Sequence, residues 1–331
     1  MATNPKPVFP KLAATLPGEA DILAKVIENF ADFDAKLVYA DWLQEHDDDR
    51  GPLLRDFVNA HREGKKLPAT NSQPKPWCDL VGITLIQQLR RTELKEKTNA
   101  LLALALPTIN YKAMPSSDKS LTLGASKFGG CPDLPDDEDW PANDDDGPLS
   151  FFGQFNLAEL QASPVARELP AKGLLSVFAF YQGDGDDDFP DDCWRMFYFP
   201  DVSKLERRDF PAELEAESRF PACRLQFTES FTLPSTDSPW SKEIDKIVNE
   251  NTDEEYHRIY WSLAGDHILG HPFPIQSDFL EKKSNRHLLT INGCDATGWE
   301  FGDGGALYFT LAQTELRKGN FKKVKMFMDC G

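Results

Sequence analysis

The run GLLSVFAFY, Gly173–Tyr181, is apolar at both its odd and its even positions. Successive side chains of a strand point to opposite sheet faces, so a stretch apolar on both belongs at the centre of a sheet. The preceding run, LSFFGQFNL (Leu149–Leu157), reads differently. Leu149, Phe151, Phe155 and Leu157 share one side with Gly153 between them, while Ser150, Gln154 and Asn156 mark the other. That alternation predicts a strand with one buried face. RMFYF (Arg195–Phe199), HLLTI (His287–Ile291) and ALYFTL (Ala306–Leu311) predict further strands, and KKVKMFMDC (Lys322–Cys330) a weaker one. Between them, SPWSKEIDKIVNE offers Ser238 as an N-cap with Pro239 in the first turn, and TDEEYHRIYWSL opens on a Thr252–Glu255 capping box. Strands interleaved with helices give an α+β class, with a mixed-sheet domain over residues 108–331.

Residues 17–66 read as three short helices. In EADILAKVIENF the side chains Ile22, Leu23, Val26, Ile27 and Phe30 recur at three- and four-residue steps. KLVYADWLQEH repeats the stripe with Leu37, Val38, Ala40 and Leu43, and LLRDFVNAHREG adds Leu54, Phe57, Val58 and His61 before Gly64 stops it. A module below roughly 60 residues buries too little surface to be stable alone, so docking on another part is expected. Residues 67–107 supply a Pro/Ser/Asn-rich linker, LPATNSQPKPWC, and then LVGITLIQQLRRTELKEKTNALLALALP, one long helix or two short ones, ending before Pro107.

Within residues 108–331 an order recurs. Gly130-Cys131-Pro132 precedes the strand around Phe151 and then Gly173-Leu174-Leu175; Gly270-His271-Pro272 precedes Leu288-Leu289 and then Gly305-Ala306-Leu307. The repetition points to an internal duplication, a sheet with two lobes.

Two resemblances rest on these segments. LVYADWLQEHDDDRG (Leu37–Gly51) resembles the bacterial repeat-companion domain, whose hallmark is a Tyr-Ala-Asp-Trp-Leu segment ahead of an acidic turn and an arginine. Tyr39, Ala40, Asp41, Trp42, Leu43, Glu45, Asp49 and Arg50 carry it, whereas ENFADFD and PLLRDF depart from the family's flanking segments. That resemblance implies an accessory or docking module and no chemistry. SKFGGCPDLP, PLSFFGQFNL, LPAKGLLSVF, HILGHPFPIQ and GWEFGDGGALYF, in that order, resemble the YwqG-like family, also called DUF1963, over residues 108–331. This second resemblance implies an α+β fold built from related halves and no established activity. Through the toxin and immunity genes among which such proteins occur, it also implies an interaction role.

The chain carries 54 acids against 36 Lys and Arg, for a net charge of −18, and six scattered cysteines with no CxxC pair. There is no cationic excess to displace counterions from a phosphate backbone or to hold an anionic bilayer. Neither nucleic acid nor membrane is therefore an expected partner, and a basic protein is. The N-terminal MATNPKPVFPKLAATLPGEAD is broken by prolines and holds no apolar run of signal-peptide length, and LLALAL (Leu101–Leu106) is too short to span a bilayer. The expectation is a cytoplasmic protein with reduced thiols.

Candidate chemistry is sparse. In SKFGGCPDLPDDEDWP (Ser126–Pro141) the glycines and prolines suit a strand-connecting turn, and Asp133 heads a run of acids that attracts cations without the ligand spacing of a Ca²⁺ site. Asp184, Asp186 and Asp188 follow D-x-D-x-D, yet Phe189 stands where a Ca²⁺ loop needs glycine and the closing glutamate is missing. They are weak candidates for Ca²⁺ or Mg²⁺ in what reads as an exposed hairpin loop. His267 and His271 stand four apart in GDHILGHP, where two glycines and Pro272 oppose a helix. On a strand their imidazoles would share a face about 9 to 13 Å apart, which disfavours a shared zinc. Gly302, Gly304 and Gly305 around Asp303 suit a hairpin turn or bulge, or alternatively an anion-binding loop. Tyr39 and Trp42 share a helical face, and Asp41 is placed to pair with Arg50 across the turn, as a packing cluster or a docking anchor.

No GxSxG elbow or cysteine-protease signature is present, so no catalytic residue is assigned and no cofactor is expected. The sequence points to a non-enzymatic interaction module, of an immunity or toxin-neutralising kind. Its contact surface would be drawn from Tyr39, Asp41, Trp42, Arg50, Asp133, His271 and Asp303. The alternative is a carboxylate-based hydrolase dependent on a divalent metal.

Overall fold

A computed structural model describes residues 8–143, 147–181, 193–276, 279–280 and 282–331. The three expected helices are α1 (Glu19–Ile27), α2 (Phe33–Glu45) and α3 (Arg50–Arg62). Asp32 caps α2, its carboxylate accepting from the backbone N–H of Asp34 and Ala35 at 3.0 and 2.9 Å. Helices α2 and α3 meet at Gly51, where a Cβ would lie 2.6 Å from the Ala40 carbonyl oxygen. Only glycine permits that approach. The expected linker ends early, because α4 (Lys75–Leu80) begins within it with Pro76 in its first turn. Gly82, at φ +77°, separates α4 from α5 (Ile83–Leu89), and α6 (Thr98–Leu102) follows a 3₁₀ turn. The pieces are thus shorter than either helical expectation.

A ten-stranded sheet forms the rest of the core. Its first-lobe strands are β1 (Leu106–Pro115), β2 (Lys127–Phe128), β6 (Ser150–Asn156), β7 (Leu174–Ala179) and β8 (Trp194–Phe199). Its second-lobe strands are β10 (Cys223–Thr232), β11 (His267–Ile268), β12 (Asn285–Asn292), β13 (Ala306–Ala312) and β14 (Lys325–Asp329). Two short ribbons lie outside it: β3 (Asp133–Pro135) with β9 (Leu205–Arg207), and β4 (Ala142–Asn143) with β5 (Gly147–Pro148). Every ladder among the described residues is antiparallel, which corrects the expected mixed sheet. Consecutive strands β6–β7–β8 and β12–β13–β14 lie side by side in the sheet, each antiparallel to the one before.

The order β14-β13-β12-β11-β1-β10-β2-β6-β7-β8 has the same pattern from either end, with the first strands of the two lobes exchanged. β1 pairs with β11 of the other lobe and β10 pairs with β2. The local geometry repeats as well. After β2, Gly129 and Gly130 adopt φ +55° and +69°; after β11, Leu269 and Gly270 adopt φ +63° and +78°. The β6–β7 register shifts between Phe151 and Gly153, and the β12–β13 register between His287 and Leu289. The expected duplication thus has a counterpart in topology, turn and bulge.

One hydrophobic core runs through the helices and the sheet. At its centre Tyr111, Phe128, Phe155 and Phe227 meet edge to face, and Trp299, fully buried, contacts Phe128, Phe152 and Phe220 at 5.0–5.1 Å between ring centroids. The helical part docks on β10. Ala13 donates its N–H to Glu229 at 2.5 Å, Phe227 donates to Val8 O at 2.9 Å, and Ser230 donates to Asp79 at 3.0 Å. A smaller core of Leu134, Leu149, Phe151, Leu174, Phe178, Phe199 and Leu205 lies beneath the ribbons.

The remaining helices are α7 (Leu157–Leu160), α8 (Ser241–Ile244), α9 (Asp253–Trp261) and α10 (Gln313–Arg317). Helix α8 starts after Trp240, so Ser238 is not its N-cap and instead donates to Ser235 O at 2.6 Å. The Thr252–Glu255 box does not form either. The Glu255 carboxylate reaches the Glu93 N–H at 2.8 Å, a tertiary partner displacing the local one.

A Cβ at Gly130 would lie 2.7 Å from Ala222 Cβ and 2.5 Å from the Asp118 carboxylate, whereas one at Gly64, with φ +68°, meets nothing within 4 Å. Gly64→Ala is expected to cost only the left-handed penalty of about 1–2 kcal/mol. Gly130→Ala should exceed it by about 1–3 kcal/mol because overpacking adds to the strain. Urea midpoints at unchanged m-value measure the difference.

Candidate functional site

The YADW segment lies on α2, and the fold turns most of it inward. Tyr39 is fully buried, donates its hydroxyl to Glu19 and accepts from Trp77 Nε1 at 3.1 Å. Burial, and next the Glu19 carboxylate, push that hydroxyl far above its ordinary range. Arg50 opens α3 and meets Glu19 at 2.8 Å and Asp48 at 2.8 Å, and it donates to Ala13 O at 2.9 Å. Asp41 sits on the exposed side of α2 and pairs with Arg55. The expected Asp41–Arg50 pair is absent because Arg50 is held by buried Glu19 on the opposite side. Trp42 is half-buried, stacked 3.9 Å from His46 and 6.5 Å from Tyr39. Tyr39 and Arg50 thus pack inward, while Asp41 and part of Trp42 stay at the surface.

The turn after β2 centres on a buried ion network. Asp133, on β3, accepts from Arg207 Nε on β9 at 2.8 Å, from Gln154 Nε2 on β6 at 2.8 Å and from the Gly124 N–H at 2.8 Å. Lys127 on β2 lies 3.8 Å from Asp133 and 3.0 Å from Asp118, and it also donates to Cys131 O. Burial opposes the Asp133 charge, but the Arg207 hydrogen bond and Lys127 outweigh it and hold the carboxyl below the ordinary carboxylate range. Burial pushes Lys127 the other way, below the usual lysine range. These two buried, oppositely charged side chains and their partners tie β2, β3, β6 and β9 together as a brace. Sequence reasoning found Asp133 but not Lys127, Gln154 or Arg207. Arg207 lies on a three-residue strand, and nothing local marks its partner.

The histidines are likewise turned onto backbone. His267 Nδ1 meets Gly265 O at 2.7 Å and its Nε2 meets His271 O at 2.9 Å; His271 Nε2 meets Leu104 O at 2.9 Å. The left-handed Leu269–Gly270 pair ends the strand after Ile268 and folds residue 271 back, so the extended spacing expected for the two imidazoles does not arise. A third histidine, His287, packs its ring 4.4 Å from that of His267 and bonds Leu269 O at 3.1 Å and Thr290 Oγ1 at 2.7 Å. Sequence reasoning missed it because only the β11–β12 register brings it there. Burial pushes His271 down to about 3 and lowers His267 and His287.

Asp303 is exposed in the turn before β13, and its carbonyl accepts from the Gly331 N–H at 3.0 Å. Asp133, His271 and Asp303 thus occupy separate environments with separate partners. Asp184, Asp186 and Asp188 lie outside the described residues. Among the described residues no group of three or more His, Cys, Asp or Glu is disposed to hold a metal ion, and Cys78, Cys131, Cys223 and Cys294 are free thiols. Concave surface among the described residues includes two larger hollows. A pocket of about 490 Å³ is lined by His61, Arg62, Arg90 and Lys95, and a groove of about 670 Å³ runs between β8 and β14.

Replacing Arg207 by Met strands the Asp133 carboxylate and should cost about 3–5 kcal/mol. Asp41→Ala, which breaks an exposed pair, should cost under about 1 kcal/mol by the same urea titration. A histidine whose folded pKa is depressed binds fewer protons folded than unfolded, so its contribution is full above about 6.5 and is lost as pH falls toward 3. His271→Gln lacks that loss. Its fall in unfolding free energy from pH 7 to 5 should be smaller than that of the unmodified chain by about 2 kcal/mol.

The family described as a domain of unknown function, DUF1963, matches residues 126–330. No curated protein matches the chain. No helix among the described residues is long and apolar enough to cross a membrane. The matched span opens one residue before Lys127 and takes in both glycine–proline turns, the Asp133 brace and every strand of the large sheet except β1. With its organising turns, brace and sheet inside that span, the chain belongs to the DUF1963 family.

Proposed function

We propose that this protein is a non-enzymatic protein-interaction module, in which the braced two-lobed sheet presents a rigid surface to a partner. One observation carries the proposal: the side chains that chemistry would use are engaged internally, Asp133 by Arg207 and Gln154, the imidazoles by backbone carbonyls, and Tyr39 by Glu19. The α2–α3 helices, whose YADWL segment resembles the repeat-companion module, share the sheet's core and serve as part of the same scaffold. The net charge of −18 suits a cytoplasmic role against a basic or polar surface, in the manner of an immunity protein meeting a toxin-like partner.

The purified full chain, used as bait at moderate salt, should retain one reproducible, saturable partner at fixed stoichiometry. Substrate turnover, or no saturable partner under any condition, would overturn the reading. Excess Ca²⁺ or Mg²⁺ should leave the melting temperature where EDTA leaves it. A resident ion at 100 times its Kd would instead add about 2.7 kcal/mol of stability.

A further inference from the structure

The three buried histidines differ in what faces their nitrogens. A neutral imidazole has one N–H to give and one lone pair with which to accept. His287 suits that form: its Nδ1 meets Leu269 O at 3.1 Å, and its Nε2 can accept from the Thr290 hydroxyl at 2.7 Å. His271 suits it too, with Nε2 on Leu104 O at 2.9 Å. His267 does not. Its Nδ1 and Nε2 both face carbonyl oxygens, Gly265 O at 2.7 Å and His271 O at 2.9 Å, and a carbonyl only accepts. The neutral ring therefore bonds one of the two and turns a lone pair on the other. Only the protonated ring bonds both.

The surroundings point the same way. Asn110 stands opposite His267 in the β1–β11 register, on the same side of the sheet, and its Oδ1 is buried without a donor. Burial opposes a charge on each ring, and a charge on His267 would lower His287 and His271 further, so the cluster favours one proton over two. Arg286 on β12 also opposes a proton on His271. The other titratable groups around the turn are Tyr260 on α9 and Tyr308 on β13, which donate to Pro272 O at 3.3 Å and Phe273 O at 2.7 Å. Asp266, next in the chain, accepts from the N–H and Nδ2 of Asn292 at 2.8 and 2.9 Å, and burial pushes it up to about 7.

We propose that His267 is a proton-operated switch: it takes up a proton ahead of His271 and His287 with the fold intact, and its second N–H then ties both ends of the turn from Gly265 to His271. The turn thus has two hydrogen-bonded states set by one proton. It lies at a sensitive place, because β11 is two residues long and yet joins β1 to β12. The proposal is independent of the interaction reading above.

The test follows the full chain by NMR, with ¹⁵N-labelled histidine and carbonyl-¹³C glycine and histidine, as pH is lowered from about 8. Ring signals are assigned through neighbours, Phe273 for His267 and Trp240 for His271. His267 should be the first of the three to show both nitrogens protonated, with a proton affinity at least about tenfold above either other ring and with the near-UV circular dichroism unchanged. One of the Gly265 and His271 carbonyl carbons should move to its hydrogen-bonded position in step with that proton. Asp266→Asn should preserve the order. His267→Gln, which offers one donor and one acceptor as the neutral ring does, should lack the carbonyl step. Protonation of His271 or His287 first, no uptake until the near-UV signal is lost, or carbonyl carbons indifferent to the His267 proton would each overturn the proposal. If His267→Gln fails to fold, the labelled unmodified chain decides by itself.

Discussion

The ten-residue ladder between β1 and β10, from Leu106 opposite Thr232 to Pro115 opposite Cys223, is the constraint on which the rest depends. Each of these strands also pairs with a turn strand of the opposite lobe, so neither lobe owns a complete sheet. The N-terminal part reaches the same place: Val8 and Ala13 ahead of α1, Phe30 between α1 and α2, and Asp79 on α4 all meet β10 between Phe227 and Phe231. Glu229 sits there with no exposure, its carboxylate shared between the Ala13 N–H and the Ser163 hydroxyl. Burial pushes that carboxyl above the usual range, and the two donors hold it in place.

This dependence explains what the amino-acid order revealed and what it hid. Strands β6, β7, β8, β12, β13 and β14 were legible because each carries its own local run of apolar residues. β1 and β10, the longest strands, were not. In β10 the buried side carries Glu229 beside Phe227 and Phe231, and the other side carries buried Ser230 and Thr232, so polar residues interrupt both faces. Their partners lie more than a hundred residues away and leave no local signature. β2 and β11 are two residues long and have no period to detect. The glycine–proline turns, in contrast, were readable as backbone devices, because a left-handed pair marks itself in composition wherever glycine supplies it. The second turn spends Leu269 on that conformation, which sequence alone disguises.

The same reasoning separates residue type from role. Asp, Lys, Arg and His in a glycine-rich setting resemble a catalytic array, and here each is bound by groups of its own fold. A buried carboxylate with three donors, or a neutral imidazole donating its one N–H to a backbone carbonyl, gains rigidity and loses availability. What such bracing leaves open lies where the architecture stops. The sheet is curled far enough for its edges to face one another and is held there by Trp194 and Tyr198 rather than by a closing ladder. A barrel would have removed both edges; this fold keeps them and lines them with cations.

Native-state hydrogen exchange of the β1 and β10 amides tests the dependence on the central ladder most directly. If the exchanged strands bind the lobes into one unit, the ladder-facing amides of Asn110, Lys112, Gln226 and Thr228 will exchange only through global unfolding, with the same free energy as strand amides at the centre of each lobe, such as Val177 and Leu307. Exchange of one lobe's central strands at a lower free energy, while the β1–β10 amides stay protected, would show the lobes opening independently and would contradict the account.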